Sequence, residues 1–421
     1  MDDLLFLSQR IPYPPTKGEK IRHLQILHYL RNHFRVYLGC FIDDPLDWQH
    51  VETVRKLCEE CYFARLRPRF ARLASLRGLV GNDPLSLPYF HHGGLAKWSS
   101  GIIERRRPAV AVVCSSVMAQ YVVDGDGRPG RLVPGRLVID YCDVDSDKWR
   151  QYAGMRRGAM RWIYARESRT LLDFDRRVGA ACDTGVFATG SEAALFSRLA
   201  PELAGKISVV SNGVDASYFS PSHVFANPYA AKSVVFTGTM NYWPNVDAVT
   251  WFADRVFPRV RRQIPDLQFY VVGSNPSPAV ARLAGREGIV VTGRVDDVRP
   301  YLAHAAAVVV PLRIANGVQN KVLEAMAMAR PVVATTRALA GVDVDQEREV
   351  IVAEPDAKAL AAALVAALAR DDLAAMGMRA RARMLKSYDW DINMAALAPL
   401  LGIAAWHGAA SPTDTQDRKL A

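Results

Sequence analysis

Residues 307–336 read AVVVPLRIANGVQNKVLEAMAMARPVVATT. The apolar, mostly β-branched run over 307–312 has the character of a parallel strand buried on both faces. A polar loop over 313–320 follows, with Gly317 set among Asn and Gln residues. The period then changes. Val322, Leu323, Ala325, Met326 and Ala329 fall at helical spacing, and Pro331 stops the helix before a second strand over 332–335. Strand, loop, helix and strand in this order make a βαβ unit, so the fold class is α/β with a parallel sheet.

Two charges in the unit point to chemistry. Lys321 is a cation in the first turn of the predicted helix, where the positive end of the macrodipole disfavours it unless an anion is also present. Glu324 stands one turn further in. In an open α/β sheet, ligands bind just past the carboxyl ends of the strands. A phosphate at Lys321 and a sugar hydroxyl at Glu324 would account for both residue types; two solvated side chains are the alternative.

The same grammar extends outward. Upstream, strands are predicted over 233–237, 268–272 and 288–292, and residues 236–245, FTGTMNYWPN, lead the first of these through a glycine loop into a helix with Pro244 in its first turn. Gly238 and Thr239 could there approach a diphosphate closely. A second alternating series lies nearer the start, with strands predicted over 4–8, 35–42, 109–114, 136–141 and 185–189. Its first strand is followed by a proline-rich loop, RIPYPPTKG over 10–18, and a helix over 19–32. Lys17 and Gly18 are candidates for the acceptor or phosphate side of a cleft.

At 421 residues the chain has room for two ordinary domains. Composition and turn signals divide it into an amino-terminal doubly wound domain over 1–210, a linker over 211–231, and a second doubly wound domain over 232–387. A helix over 388–403 crosses back toward the first, and 404–421 form a polar tail.

Asp140, Asp143, Asp145 and Asp147 cluster at the end of an apolar strand. They could bind a divalent cation, supply an acid/base group, or in the case of Asp147 start the next helix. The GxGxxG string over 125–130 fails its context test for a dinucleotide site, because Pro129 interrupts it and a strand follows where a helix is needed. Cys40, Cys114, Cys142 and Cys182 sit in apolar contexts, and the lone CxxC of Cys58 and Cys61 lacks a second pair of ligands, so no metal site is expected.

Net charge is +10. The excess is clustered: Arg65, Arg67, Arg69, Arg72 and Arg77 form one group, Arg105 to Arg107 a second, and Arg156, Arg157, Arg161, Arg166 and Arg169 a third, with Met160 and Trp162 among them. Arginines mixed with bulky apolar residues suit an anionic membrane surface or a phosphorylated lipid acceptor, or else form a solvated helix face. No nucleic-acid-binding motif accompanies them. No apolar run approaches the roughly 20 residues of a membrane span, and no signal peptide opens the chain. The expectation is a cytoplasmic protein, with the basic clusters leaving room for a peripheral position at the inner face of the membrane.

Taken together, the loop ending at Gly18, SNGVD over 211–215, VTGRV over 291–295 and VLEAMAMARPVVAT over 322–335 resemble retaining glycosyltransferases of family 4, which have the GT-B fold. More narrowly, DVDSDKWRQYA over 143–153, FTGTMNYWPN and NGVQNKVLEAMAMARPVVAT over 316–335 look like the sugar transferases of exosortase and exopolysaccharide gene clusters. The resemblance implies two Rossmann-like domains facing a central cleft, a nucleotide sugar as co-substrate, a lipid-linked or glycan acceptor, no nucleic acid and no cofactor or metal. It implies that Glu324 accepts from ribose hydroxyls, that the Gly238 and Thr239 loop faces the diphosphate, and that Arg294 and Val295 meet the base. Lys321 or Arg313 would supply the cation that relatives carry after the first strand of this domain, and Gly317 belongs to the same donor loop. Asn316 stands where the family usually has an acidic residue against the donor sugar. With Asp143, Asp145 and Lys321 it completes the catalytic set. A nucleotide-sugar 2-epimerase of the same architecture and a non-catalytic nucleotide-sugar-binding partner of a polysaccharide assembly complex are the competing readings.

Overall fold

A computed structural model describes residues 1–79, 81–123, 130–315 and 317–403, excluding the side chain of Arg77. The GxGxxG string at 125–129, Asn316, and the tail over 404–421 therefore lie outside the described residues. The chain forms two compact units, residues 1–211 with 394–403, and residues 212–393.

The first unit is built on seven parallel strands: β1 (Asp2–Ser8), β2 (Phe34–Ile42), β3 (Glu60–Arg65), β4 (Val110–Cys114), β5 (Arg136–Cys142), β6 (Thr184–Phe187) and β7 (Ile207–Val209). Their spatial order is β3-β2-β1-β4-β5-β6-β7. Strand order reverses between β1 and β4, which pair from Leu4 against Val110 to Ser8 against Cys114. Leu4, Leu5, Phe6 and Leu7 are wholly buried, the unbroken apolar run that a strand covered on both faces requires. Four helices matter below: α1 (Gly18–Arg31), α2 (Pro68–Ser75), α3 (Asp145–Gly154) and α4 (Gly158–Ala181).

The second unit carries β8 (Ser233–Thr237), β9 (Gln268–Val272), β10 (Ile289–Gly293), β11 (Ala307–Val310), β12 (Val332–Thr335) and β13 (Ile351–Ala353), all parallel, in the order β10-β9-β8-β11-β12-β13. The reversal falls between β8 and β11. Helix α5 (Trp243–Trp251) follows β8 and α6 (Asn320–Ala327) follows β11, while α7 (Leu373–Ser387) packs on α6. The βαβ reading of 307–336 therefore holds, with trimmed ends. β11 stops at Val310 because Pro311 has no amide to donate, and α6 ends two residues early, with Ala329 turning to φ 54° ahead of Pro331.

Three short strands had no sequence signal: β3, β7 and β13 all lie at sheet edges. Edge strands are covered incompletely, so β3 alternates too little and β7 and β13, at three residues each, are too short to show a period. Where one helix is expected over 388–403, two short ones form, Trp390–Ala395 and Ala398–Leu401, the second with Pro399 in its first turn.

Candidate active site

Both predicted donor loops of the second unit leave strands that flank its strand-order reversal, the position at which open α/β sheets bind ligands. After β8 the chain passes Gly238 at φ 151°, a conformation glycine adopts without steric conflict. The loop is stitched to the end of β9: Gly238 N donates to Val272 O at 3.1 Å and Met240 N to Ser274 O at 2.8 Å. Asn245, in the first turn of α5, donates from Nδ2 to the Thr239 carbonyl at 2.9 Å. Its Oδ1, with Thr237 Oγ1 and Asn320 Oδ1, is buried without a hydrogen-bond partner among the described residues. Buried polar atoms are rarely left so, and these are available to a bound polar group.

Lys321 comes to this loop from α6. Its Cε lies 3.4 Å from where a Cβ on Gly238 would sit, and its ammonium lies 5.4 Å from the centre of the Phe236 ring. Glu324 is one turn on. Among the described residues neither charge has a salt-bridge partner within 4 Å. Burial pulls the Lys321 ammonium down to about 8, against the opposing charge of Glu324. Burial likewise pushes the Glu324 carboxyl up to about 7, against the pull of Lys321. Each group is thus poised near neutrality, a state that a buried anion and a hydroxyl donor would relieve.

The other predicted donor residues scatter. Arg313 is committed elsewhere: its guanidinium makes a two-pronged bond to Asp247 and lies over the Trp251 ring, so its charge is already answered. Gly317 is buried at φ 62° in the loop before α6. Arg294 and Val295 follow β10, outside the strands that flank the reversal; Arg294 is exposed and Val295 half-buried.

In the first unit, Lys17 and Gly18 stand where the chain leaves the β1 loop and enters α1, at that sheet's own reversal. Arg10 holds the loop in place by pairing with Glu19 and with Asp43 at 2.8 Å. The four aspartates do not act as one cluster. Asp140 receives the buried Arg22 guanidinium on both oxygens, at 2.8 Å each. Asp145 pairs with Lys148 at 2.6 Å, and Asp147 is held by Arg150 and Gln151. Asp143 is different: its Oδ1 is buried without a partner among the described residues, and burial raises its pKa against the nearby Lys148. Among the described residues one set of three possible metal ligands converges, His23, Cys114 and Asp140, and there Arg22 already supplies the cation.

Residues 231–370 match the family model described as glycosyl transferases group 1. That match supports a glycosyltransferase family for the second unit. The whole chain has the two-domain GT-B fold. It superposes on sucrose-phosphate synthase from Thermosynechococcus elongatus with a TM-score of 0.69 at 17% identity, covering 95% of this chain and 98% of that one. HepE from Anabaena, solved with UDP and glucose, gives 0.66 at 13%, covering 96% and 100%. WaaG, a glycosyltransferase involved in lipopolysaccharide biosynthesis, gives 0.65 at 14%, covering 95% and 100%. No curated protein matches the chain by sequence. Among the described residues no helix is long and apolar enough to cross a membrane.

Within this GT-B frame, a glycine, an asparagine and a serine emerge that the sequence did not single out for the site. Gly273, at φ 153°, closes on Gly238 from the end of β9, and Asn245 fixes the Thr239 carbonyl. Ser115, at φ 73° after β4, occupies the reversal of the first sheet and donates its amide to Asp140 O at 2.8 Å. Glycine after a strand was a usable signal for Gly273. Nothing in the sequence marked Ser115.

Proposed function

We propose that the protein is a retaining glycosyltransferase of family 4 type, moving a sugar from a nucleoside-diphosphate donor to a lipid-linked or polysaccharide acceptor. The place of that reaction is the synthesis of an exopolysaccharide or another cell-envelope glycan, as in the transferases of exosortase gene clusters. The observation that carries the reading is Lys321 and Glu324, without ion-pair partners among the described residues, set against the Gly238 loop at the strand reversal of the second unit. Departure of a nucleoside diphosphate develops negative charge, and Lys321, the loop amides and the α6 amide end can stabilise it without a divalent cation. Glu324 accepts from the ribose hydroxyls. Retention follows when the acceptor oxygen bonds to the anomeric carbon on the face the diphosphate leaves, a donor phosphate oxygen taking the acceptor proton. Asp143, whose Oδ1 is buried without a hydrogen-bond partner among the described residues, orients the acceptor hydroxyl. The UDP and glucose held by HepE support a nucleotide sugar as the donor class.

The test is incubation of the purified protein with a panel of nucleotide sugars and a polyprenyl-linked acceptor, with and without EDTA. Glycosylated lipid of unchanged anomeric configuration, formed equally with EDTA, is expected. An isomerised donor would instead identify an epimerase, and binding without turnover a non-catalytic partner.

A further inference from the structure

Helix α2 packs one small residue, Ala71, and turns its bulky ones outward: Phe70 and Leu73 are each 67% exposed, and Leu76 beyond its end is half exposed. Arginines interleave with them. Residues 65–77 hold five arginines and no acidic residue. Arg65, Arg67, Arg69 and Arg72 are exposed, and among the described residues none of their side chains has an ion-pair partner. Solvated basic helices do not need three large apolar side chains on the same exposed side, and apolar surface of this kind marks an interaction site.

A second patch of the same composition lies at the start of α4. Trp162 is 60% exposed, Met155 and Met160 nearly half exposed, and residues 155–165 contain three arginines and no acidic residue. The two patches share one anchor. The buried Arg166 guanidinium donates to the carbonyls of Gly78, Gly81 and Asp83, and the buried Glu167 carboxylate accepts from the amides of Leu85 and Ser86 and from the Ser86 hydroxyl. This staple fixes the segment that begins at Leu76 onto α4. Trp162 is four residues before Arg166, about 6 Å along the helix and on the same face of α4 as that anchor.

We propose that α2 and the first turns of α4 form a docking surface for an anionic lipid bilayer. Phe70, Leu73 and Trp162 enter the boundary between headgroups and acyl chains, and the interleaved arginines meet lipid phosphates. Charge complementarity selects the occupant: two arginine-rich segments without a single carboxylate repel basic partners and attract a negatively charged surface, and the apolar side chains between them distinguish a bilayer from a soluble polyanion. The inference concerns the first unit alone and stands apart from what the second unit binds.

The test is co-sedimentation of the full chain with vesicles of phosphatidylcholine alone and of equal parts phosphatidylcholine and phosphatidylglycerol. Sedimentation with the anionic vesicles only, weakened by added salt, is expected. The double variant Phe70→Ser/Leu73→Ser should lower the partition coefficient roughly tenfold or more. Arg69→Glu and Arg72→Glu should each lower it by about fivefold or more. All four side chains are exposed, so thermal melts of the variants should match the parent, and binding of a nucleoside diphosphate should be unchanged. Absence of sedimentation with anionic vesicles at low salt overturns the proposal. So does undiminished sedimentation of the Ser/Ser variant, since charge alone would then suffice.

Discussion

A Cβ on Gly273 would lie 1.7 Å from the carbonyl oxygen of Gly238. The two glycines come from adjacent strands, at the ends of β9 and β8, and their contact sets how deeply the Gly238 loop sits. Gly273→Ala must push that loop out of place and adopt φ near 153°, which costs about 1–3 kcal/mol in strain. The variant is expected to unfold at lower denaturant and to lose affinity for a nucleoside diphosphate. A control at Gly285, where an added Cβ meets nothing within 4 Å, should bind as the parent does.

Glu324→Gln and Glu324→Ala test the ribose role. Among the described residues the carboxylate has no ion-pair or hydrogen-bond partner, so either change should leave the fold intact. Calorimetry should show nucleoside diphosphate affinity reduced by about tenfold or more, as expected for a lost charge-assisted hydrogen bond, while inorganic pyrophosphate binds as before. Unchanged nucleoside diphosphate affinity in the alanine variant would remove Glu324 from the donor site.

The pH dependence of donor binding has a sign fixed by the same pair. Glu324, raised to about 7, gains a proton below that pH and ceases to be a charged acceptor. Lys321, lowered to about 8, loses its proton above that pH and no longer attracts phosphate. Affinity should therefore be greatest between these values and fall by up to about tenfold per pH unit above 8. Lys321→Arg stays charged throughout, so it should retain at about pH 9.5 the affinity that the parent loses. Titrations at three pH values decide this.

The βαβ unit at 307–336 was legible because a strand buried on both faces writes itself as a continuous apolar run. Lys321 was legible as a candidate because a cation in a first helical turn conflicts with the macrodipole, and Glu324 because it stands one turn further in. The Gly273 contact was not, since its demand comes from the backbone of a neighbouring strand. Nor was the pairing of Arg22 with Asp140, 118 residues apart, which only the fold brings together. Arg313 shows the converse. The resemblance made it a candidate donor cation, and the fold pairs it with Asp247, 66 residues upstream.

The Arg22 pair makes its own prediction. The guanidinium spans α1 to β5 and also donates to Val210 O at 2.8 Å, with both partners of the ion pair out of water. Arg22→Met strands the Asp140 carboxylate and should destabilise the chain by about 3–5 kcal/mol in urea unfolding. Arg22→Met/Asp140→Leu removes both charges and should recover much of the loss, because the penalty belongs to the unpaired charge.

Asp143 and Asp145 separate catalysis from structure within one acidic stretch. Asp145 is already answered by Lys148, so Asp145→Asn should leave turnover within a few-fold of the parent. Asp143 has a buried oxygen without a partner among the described residues and a pKa raised by burial, the condition of a carboxyl held ready for a substrate hydroxyl. Asp143→Asn should reduce kcat by about 100-fold or more while leaving the KM for the donor near its parent value. It should also abolish the acid limb of the kcat profile, which in the parent lies above the ordinary range for an aspartate because the folded carboxyl holds its proton to higher pH. Equal losses in the two variants would show that the stretch acts as a structural whole and that Asp143 has no separate role.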